Sequence, residues 1–198
     1  MNLPNKLTVL RMVLVIVMII IPLLPIEGTL WHIPVAALIL EAIFVIASLT
    51  DKLDGYLARK RNEITTFGKF LDPIADKALV ITAMIILVEM GTIPSWIPAI
   101  IVVREFIVSG YRMVAAEKKG EVIAANFWGK LKTVTQMVAI IIAFIDTNPF
   151  GAIFTAGLSG LPFVINLGTT LLMTVCVIAT IFSGWEYVKG GKDLLKEN

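Results

Sequence analysis

An all-α integral membrane protein of six transmembrane helices, with both termini cytoplasmic, is the fold class this sequence predicts, and three observations predict it. The 198 residues are 58% hydrophobic and 16% charged, with a mean hydropathy of +0.89; an ordinary soluble domain is about half apolar and a quarter charged. The apolar residues fall into blocks of roughly 18 to 25, the length that crosses a bilayer's hydrocarbon core as a helix. The 17 basic residues gather in alternate connections between those blocks, as expected where Lys and Arg stay on the cytoplasmic side.

The first span, Leu7 to Ile26, opens with Lys6 and Arg11. It leaves through Pro25-Ile26-Glu27-Gly28, which lacks the small-x-small pattern of a cleaved signal, so the helix is expected to be retained. Asn5 and Thr8 read as its caps, and Trp31 and His32 as interfacial residues beyond it. The second span, Ile33 to Leu57, runs directly into a group of acids. The third, Leu71 to Met90, is expected to start with Asp72 as its cap and Pro73 at the first helical position. The fourth, Pro94 to Ala116, carries Arg104 about 15 Å in from Pro94. Phe127 to Ile145 is the fifth span and Leu161 to Tyr187 the sixth, and Gly-rich Phe150 to Pro162 between them is expected to lie against the outer surface. Trp96, Trp128 and Trp185 fall near predicted ends and read as belt residues.

Charge then orients the chain. Lys and Arg occupy the amino end, the second connection with its flanks (Lys52, Arg59, Lys60, Arg61, Lys69, Lys77), the fourth (Arg112, Lys118, Lys119, Lys130, Lys132) and the tail (Lys189, Lys192, Lys196). The remaining connections contain none, and the one basic residue left over, Arg104, lies deep within the fourth span. With no internal repeat or appended soluble segment visible, residues 1–198 are expected to form a single membrane domain.

Composition also removes whole classes of chemistry. A single cysteine, Cys176, excludes an intrachain disulfide and a thiolate metal cluster. One histidine excludes a multi-imidazole site and argues against a Ser-His-Asp triad. Seventeen basic against fifteen acidic residues is too even a balance for nucleic acid binding.

The chemistry lies between the second and third spans, where Asp51, Asp54, Gly55, Ala58 and Arg59 precede Gly68, Asp72 and Asp76. At 100° per residue the first five fall at about 0°, −60°, +40°, −20° and +80°, one stripe of a helix. Asp72 and Asp76 are one turn apart on the next helix, about 40° from each other. Four carboxylates gathered in a partly desolvated site repel unless some are protonated or a divalent cation neutralises them. Mg²⁺ or Mn²⁺ is the better solution: an all-carboxylate set suits hard cations, whose shell is commonly completed by phosphate, and four acids suffice for two ions. Gly55 and Ala58 leave the helix backbone bare for a flat ligand or a phosphate, and Arg59 supplies an anion clamp. The competing reading is a solvated rim paired with Lys52, Lys69 and Lys77. At about 7% usage per position, however, eight specified residues at fixed spacing occur by chance on the order of once per 10⁹ starting points.

The pattern D-x-x-D-G-x-x-A-R-x(8)-G-x-x-x-D-x-x-x-D resembles the signature of the CDP-alcohol phosphotransferase family, with every position filled. Pro4 to Arg11, Phe67 to Lys77, Arg104 to Arg112 and Gly129 to Thr133 are similar to the bacterial phosphatidylglycerophosphate synthases within it, so the resemblance runs from Pro4 to about Gln136. It implies a six-helix homodimer in the bacterial cytoplasmic membrane, with an active-site cavity at the cytoplasmic face. The implied reaction is a metal-dependent transfer of the phosphatidyl group of CDP-diacylglycerol to sn-glycerol 3-phosphate, releasing CMP. Carried over by position, Asp51, Asp54 and Asp72 are the principal metal ligands. Asp76 is the base toward the acceptor hydroxyl and is counted with the metal ligands, while Asp51, Gly55, Ala58 and Arg59 face the CDP group.

The implied acceptor is small and doubly anionic, so fixed cations near the acids are expected. Arg112 and Lys130 sit near the cytoplasmic level of the motif, and Arg11 is about one turn after Thr8. Arg104, deep in the fourth span, either faces a polar cavity or pairs with a carboxylate such as Glu41. Another acceptor alcohol, such as inositol phosphate, serine or phosphatidylglycerol, is compatible with the signature. A cation transporter would place its acids near midplane in repeated halves, whereas these lie at one face of a chain without a visible repeat. A non-catalytic scaffold leaves the spacing unexplained.

Overall fold

A computed structural model describes the backbone of residues 3–61, 66–119 and 127–190 and the side chains of residues 5–51, 68, 70–114 and 127–189. Six α-helices account for most of it: α1 (Leu3–Ile20), α2 (Val35–Arg61), α3 (Thr66–Glu89), α4 (Trp96–Lys119), α5 (Phe127–Ile145) and α6 (Gly160–Gly190). Two strands, β1 (Thr29–Leu30) and β2 (Ile33–Pro34), form a small antiparallel hairpin. The chain divides into two compact units, Met1–Ile93 with Ile140–Pro149, and Pro94–Ala139 with Phe150–Asn198, so α5 belongs to the second up to Ala139 and to the first thereafter.

In the first unit α1 packs against both α2 and α3. It starts earlier than the sequence predicts, at Leu3, with Pro4 in its first turn where no N–H is required. Asn5 and Thr8 therefore lie inside the helix and do not cap it. The helix ends through a 3₁₀ turn at Ile21–Leu23, where Pro22 cannot continue the ladder and Leu24 before Pro25 is extended. The hairpin that follows is absent from the sequence reading. Its two-residue loop is Trp31-His32, with φ of 53° and 67°, and short hairpin loops need positive φ to match strand twist.

The third helix also departs from expectation. It begins at Thr66, with Pro73 inside it, so Asp72 is not a cap. Pro73 removes one backbone hydrogen bond, a loss that membrane helices tolerate where neighbours satisfy the freed group. The far end of α3 closes with Gly91 at φ 76°. The Gly91 N–H donates to Val88 O (3.0 Å) and the Thr92 N–H to Leu87 O (3.0 Å), the paired bonds of a glycine-terminated helix. The core of this unit is built from Met18, Phe44, Leu79, Met84, Leu87 and Phe144, with the two phenylalanine ring centroids 6.3 Å apart.

In the second unit α4 packs along α6. Trp128 stacks on Phe182 at 4.9 Å and Trp96 meets Phe150 edge-on at 6.0 Å. The connection before α6 is tied to that helix, because Thr170 Oγ1 accepts from the Gly151 N–H and Asn166 Oδ1 from the Ile153 N–H.

Beside the apolar core, three helices bury polar residues while exposing apolar ones. On α1, Asn5, Thr8 and Arg11 are buried while Leu10, Val13, Ile16 and Ile19 are exposed. On α5, Lys132, Thr135 and Gln136 are buried while Val134 and Val138 are exposed, and on α6 Thr169, Thr180 and Ser183 are hidden beneath exposed Ile178 and Ile181. A helix in water turns its apolar stripe inward; this arrangement is consistent with hydrocarbon outside. By length and composition, Asn5–Leu23, Phe127–Ile145 and Gly160–Lys189 are candidate membrane spans among the described residues.

Candidate active site

Two acids of the motif, Asp51 and Asp72, are held from α1. Thr8 Oγ1 donates a 2.6 Å hydrogen bond to Asp72 Oδ1 on α3, and Arg11 Nη1 lies 3.1 Å from Asp51 Oδ1 on α2. Thr8 and Arg11 are three residues apart, so their Cβ atoms are about 5–6 Å from each other on one helix face. Two carboxylates 21 positions apart in sequence are thereby held against adjacent turns of a third helix. The contrast in solvation matters: the Arg11 side chain is 0% exposed whereas that of Asp51 is 42% exposed. Asp51 thus pairs with a buried cation while part of its own carboxylate stays in reach of solvent. Asp76, one turn beyond Asp72, is exposed, and Gly68 is buried.

Asp54, Gly55, Ala58 and Arg59 lie on the backbone of α2, but their side chains fall outside the described residues. Among the described residues no three of Asp, Glu, His and Cys are grouped to hold a metal ion; Asp51, Asp72 and Asp76 are all described, so the structure does not bring these three expected ligands into one group.

The second unit carries a separate polar cluster. Glu105 Oε1 accepts from Arg104 Nη1 (2.7 Å) and from Lys132 Nζ (2.8 Å), which ties α4 to α5. The other arm of Arg104, Nη2, donates to Ser183 Oγ on α6. Arg112 Nη2 donates to the Tyr187 hydroxyl at 2.8 Å. The Arg104 and Arg112 guanidinium carbons lie 5.8 and 5.5 Å from the centroid of the Tyr187 ring, within cation–π range. Three cations less one carboxylate leave a net charge of +2 on these groups.

Of the cations singled out in the sequence, Arg104 and Arg112 are brought together, Arg11 pairs with Asp51 in the first unit, and Lys130 is exposed on α5. The carboxylate that engages Arg104 is its chain neighbour Glu105, not Glu41. Sequence reasoning passed over Lys132, Ser183 and Tyr187. A signal for them exists: Lys132 begins a polar i, i+3, i+4 stripe with Thr135 and Gln136, and Lys130 is about 200° away from it on the opposite face. Likewise Thr169, Thr180, Ser183 and Tyr187 fall within about 60° of one another around an otherwise apolar helix.

The model of the CDP-alcohol phosphatidyltransferase family matches residues 1–185. The CDP-diacylglycerol–glycerol-3-phosphate 3-phosphatidyltransferase of Bacillus subtilis (strain 168) is 44% identical over 200 residues, covering 98% of this chain and 97% of the relative. The enzyme of the same name from Haemophilus influenzae is 37% identical, covering 100% of this chain and 97% of the relative. That from Rickettsia typhi is 35% identical, covering 96% and 97%. A signature filled at every position, two of its acids held from α1 and similarity along nearly the whole length lead to one assignment: the chain belongs to the CDP-alcohol phosphatidyltransferase family.

Proposed function

We propose that this protein transfers the phosphatidyl group of CDP-diacylglycerol to sn-glycerol 3-phosphate, forming phosphatidylglycerophosphate and CMP. The observation that carries the reading is the attachment of Asp51 and Asp72, two acids of the family signature, to Arg11 and Thr8 on neighbouring turns of α1. The full-length likeness to relatives bearing that activity in their names supports it.

The donor set fits a hard divalent cation: it consists of carboxylate oxygens, partly exposed and fixed by neighbours. Asp51, Asp54, Asp72 and Asp76 would hold Mg²⁺ or Mn²⁺, as two ions. When bound, the ions supply charge neutralisation of the pyrophosphate and of departing CMP. The chain's own residues do the rest. Gly55, Ala58 and Arg59, with Asp51, receive the CDP group. Arg104, Arg112 and Lys132 meet the acceptor's phosphate, a doubly anionic group suited to gathered cations. Asp76 takes the proton of the acceptor hydroxyl as its oxygen bonds to the phosphatidyl phosphorus and the bond from that phosphorus to the CMP oxygen breaks. A carboxylate is a weak base for an alcohol, so the step depends on an acceptor already held in place.

The two substrates also place the protein. The diacylglycerol tails require the bilayer and the anionic ends the basic side, in keeping with six spans and both termini cytoplasmic; the family resemblance adds one membrane domain working as a homodimer in the bacterial cytoplasmic membrane. The test is CMP release by purified protein in detergent micelles, with radiolabelled glycerol 3-phosphate, serine, inositol phosphate and phosphatidylglycerol offered in turn. Label is expected in lipid with glycerol 3-phosphate alone. Transfer to another alcohol would replace the acceptor assignment, and no CMP release with any would overturn the enzyme reading.

A further inference from the structure

The family motif ends before α5, yet Arg104 and Arg112 of the second unit are held from α6. Ser183, Gly184 and Tyr187 occupy one short stretch of that helix. Ser183 and Tyr187 are one turn apart on its buried face, and both are buried. Ser183 Oγ accepts from Arg104 Nη2. A Cβ built on Gly184 would stand 3.3 Å from Arg104 Cγ, closer than ordinary van der Waals contact, so the bare backbone here is what lets the arginine stem lie against the helix. Tyr187 offers its ring to Arg104 and Arg112 and its hydroxyl to Arg112.

We infer that Ser183, Gly184 and Tyr187 form an α6 cradle whose task is to position Arg104 and Arg112 for the acceptor's phosphate, which makes them positioning residues that set acceptor affinity. The inference rests on the proposed transfer to glycerol 3-phosphate. Its physical basis is the cost of assembling like charges. Two guanidinium groups facing a single tyrosine ring repel each other. They stay together because the electron-rich ring and the hydroxyl offset part of that repulsion, and Glu105 offsets more. Without the cradle each arginine would reach for its own solvent or lipid partner, and a phosphate would have to gather them at the moment of binding, paying in affinity. Binding to these cations is present before and throughout the reaction, so its loss raises KM more than it lowers kcat.

The experiment uses the full chain in detergent micelles, comparing wild type with Tyr187→Phe, Tyr187→Leu and Ser183→Ala. For each, KM for glycerol 3-phosphate, KM for CDP-diacylglycerol, kcat and competitive inhibition by inorganic phosphate are measured. Tyr187→Phe keeps the ring and loses the acceptor for Arg112, and is expected to raise the acceptor KM about three- to tenfold. Tyr187→Leu loses the ring as well and is expected to add roughly another tenfold. Ser183→Ala is expected to resemble Tyr187→Phe. Inhibition by phosphate should weaken in step with the acceptor KM, while KM for CDP-diacylglycerol stays within about twofold of wild type. Equal acceptor KM across the series, or losses confined to kcat and folded yield, would overturn the cradle and leave the proposed reaction standing. A wild-type protein that makes no product from glycerol 3-phosphate would overturn both.

Discussion

Thr8→Val tests the organisation of the acidic site with the smallest change of shape. Valine matches threonine in volume, and Thr8 is 1% exposed, so the main loss is the 2.6 Å bond to Asp72 Oδ1. A hydrogen bond to a charged group contributes about 1.5–3 kcal/mol, which corresponds to a factor of roughly 10 to 150 in an equilibrium constant. An independent expectation comes from metal sites in general, where loss of a partner that orients a ligand lowers metal affinity or activity about 10- to 100-fold. The two ranges overlap. If Asp72 is a metal ligand held in register by Thr8, the Mg²⁺ or Mn²⁺ concentration for half-maximal CMP release should rise by one to two orders of magnitude in Thr8→Val. Thr8→Ser, which keeps the hydroxyl, should stay near wild type, and saturating metal should restore much of the lost rate. The assay is a metal titration of CMP release in micelles at fixed CDP-diacylglycerol. An unchanged half-saturation point in folded Thr8→Val protein would refute the assignment of Asp72 as a ligand positioned from α1.

Asp76→Asn is expected to retain CDP-nucleotide binding, measured by calorimetry, and to lose turnover; retained turnover removes Asp76 as the base. Gly91→Ala meets open space but must adopt φ 76°, so it should cost about 1 kcal/mol and lower the melting temperature by roughly 2–4 °C with activity intact. A larger fall would mean that the turn carries packing not seen around Gly91. Single cysteines introduced at Lys60 and Thr155 into a Cys176→Ser background should label from opposite sides of sealed vesicles, and labelling from the same side refutes the six-span topology.

How far the sequence could be read depended on the range of the forces involved. α5 was legible to the residue, Phe127–Ile145, because Trp128, the Lys130 and Lys132 pair and Asp146 bracket an unbroken apolar run. The start of α3 was not, because Asp72-Pro73 has the chemistry of a helix start and only the helix running from Thr66 overrides it. Spacing singled out the acids, two of which, Asp51 and Asp72, attach to α1. What Thr8 touches was not legible, since its partner lies 64 residues away and no local pattern encodes such a pairing. For the cations, charge alone marked Lys130 and Lys132 equally; helical phase separates them, because only Lys132 continues a polar stripe that must avoid lipid. Ser183 and Tyr187 were hidden by a different effect: in a helix as apolar as α6, isolated hydroxyls read as background until their common phase is noticed.

Arg11 joins burial to charge in a way that is itself testable. Its side chain is 0% exposed while that of its partner Asp51 is 42% exposed, so the two ends of the ion pair are unequally solvated. Removing Asp51 takes one carboxylate from a buried guanidinium, a loss of up to about 3–5 kcal/mol. Removing Arg11 instead leaves a carboxylate that water already reaches, and the expected loss is nearer 1 kcal/mol. Asp51→Ala should therefore lower the melting temperature by about 6–20 °C in metal-free buffer. Arg11→Met, which retains an apolar stem of similar length, should lower it by only a few degrees. The double variant should be more stable than Asp51→Ala alone, because the buried charge that lost a carboxylate has gone. This order separates the structural duty of Asp51 from any duty as a ligand, since both measurements are made without a cation. Equal losses in the two single variants would mean that Arg11 is held chiefly by partners other than Asp51, and that α1 does not depend on Asp51 for its place beside α2.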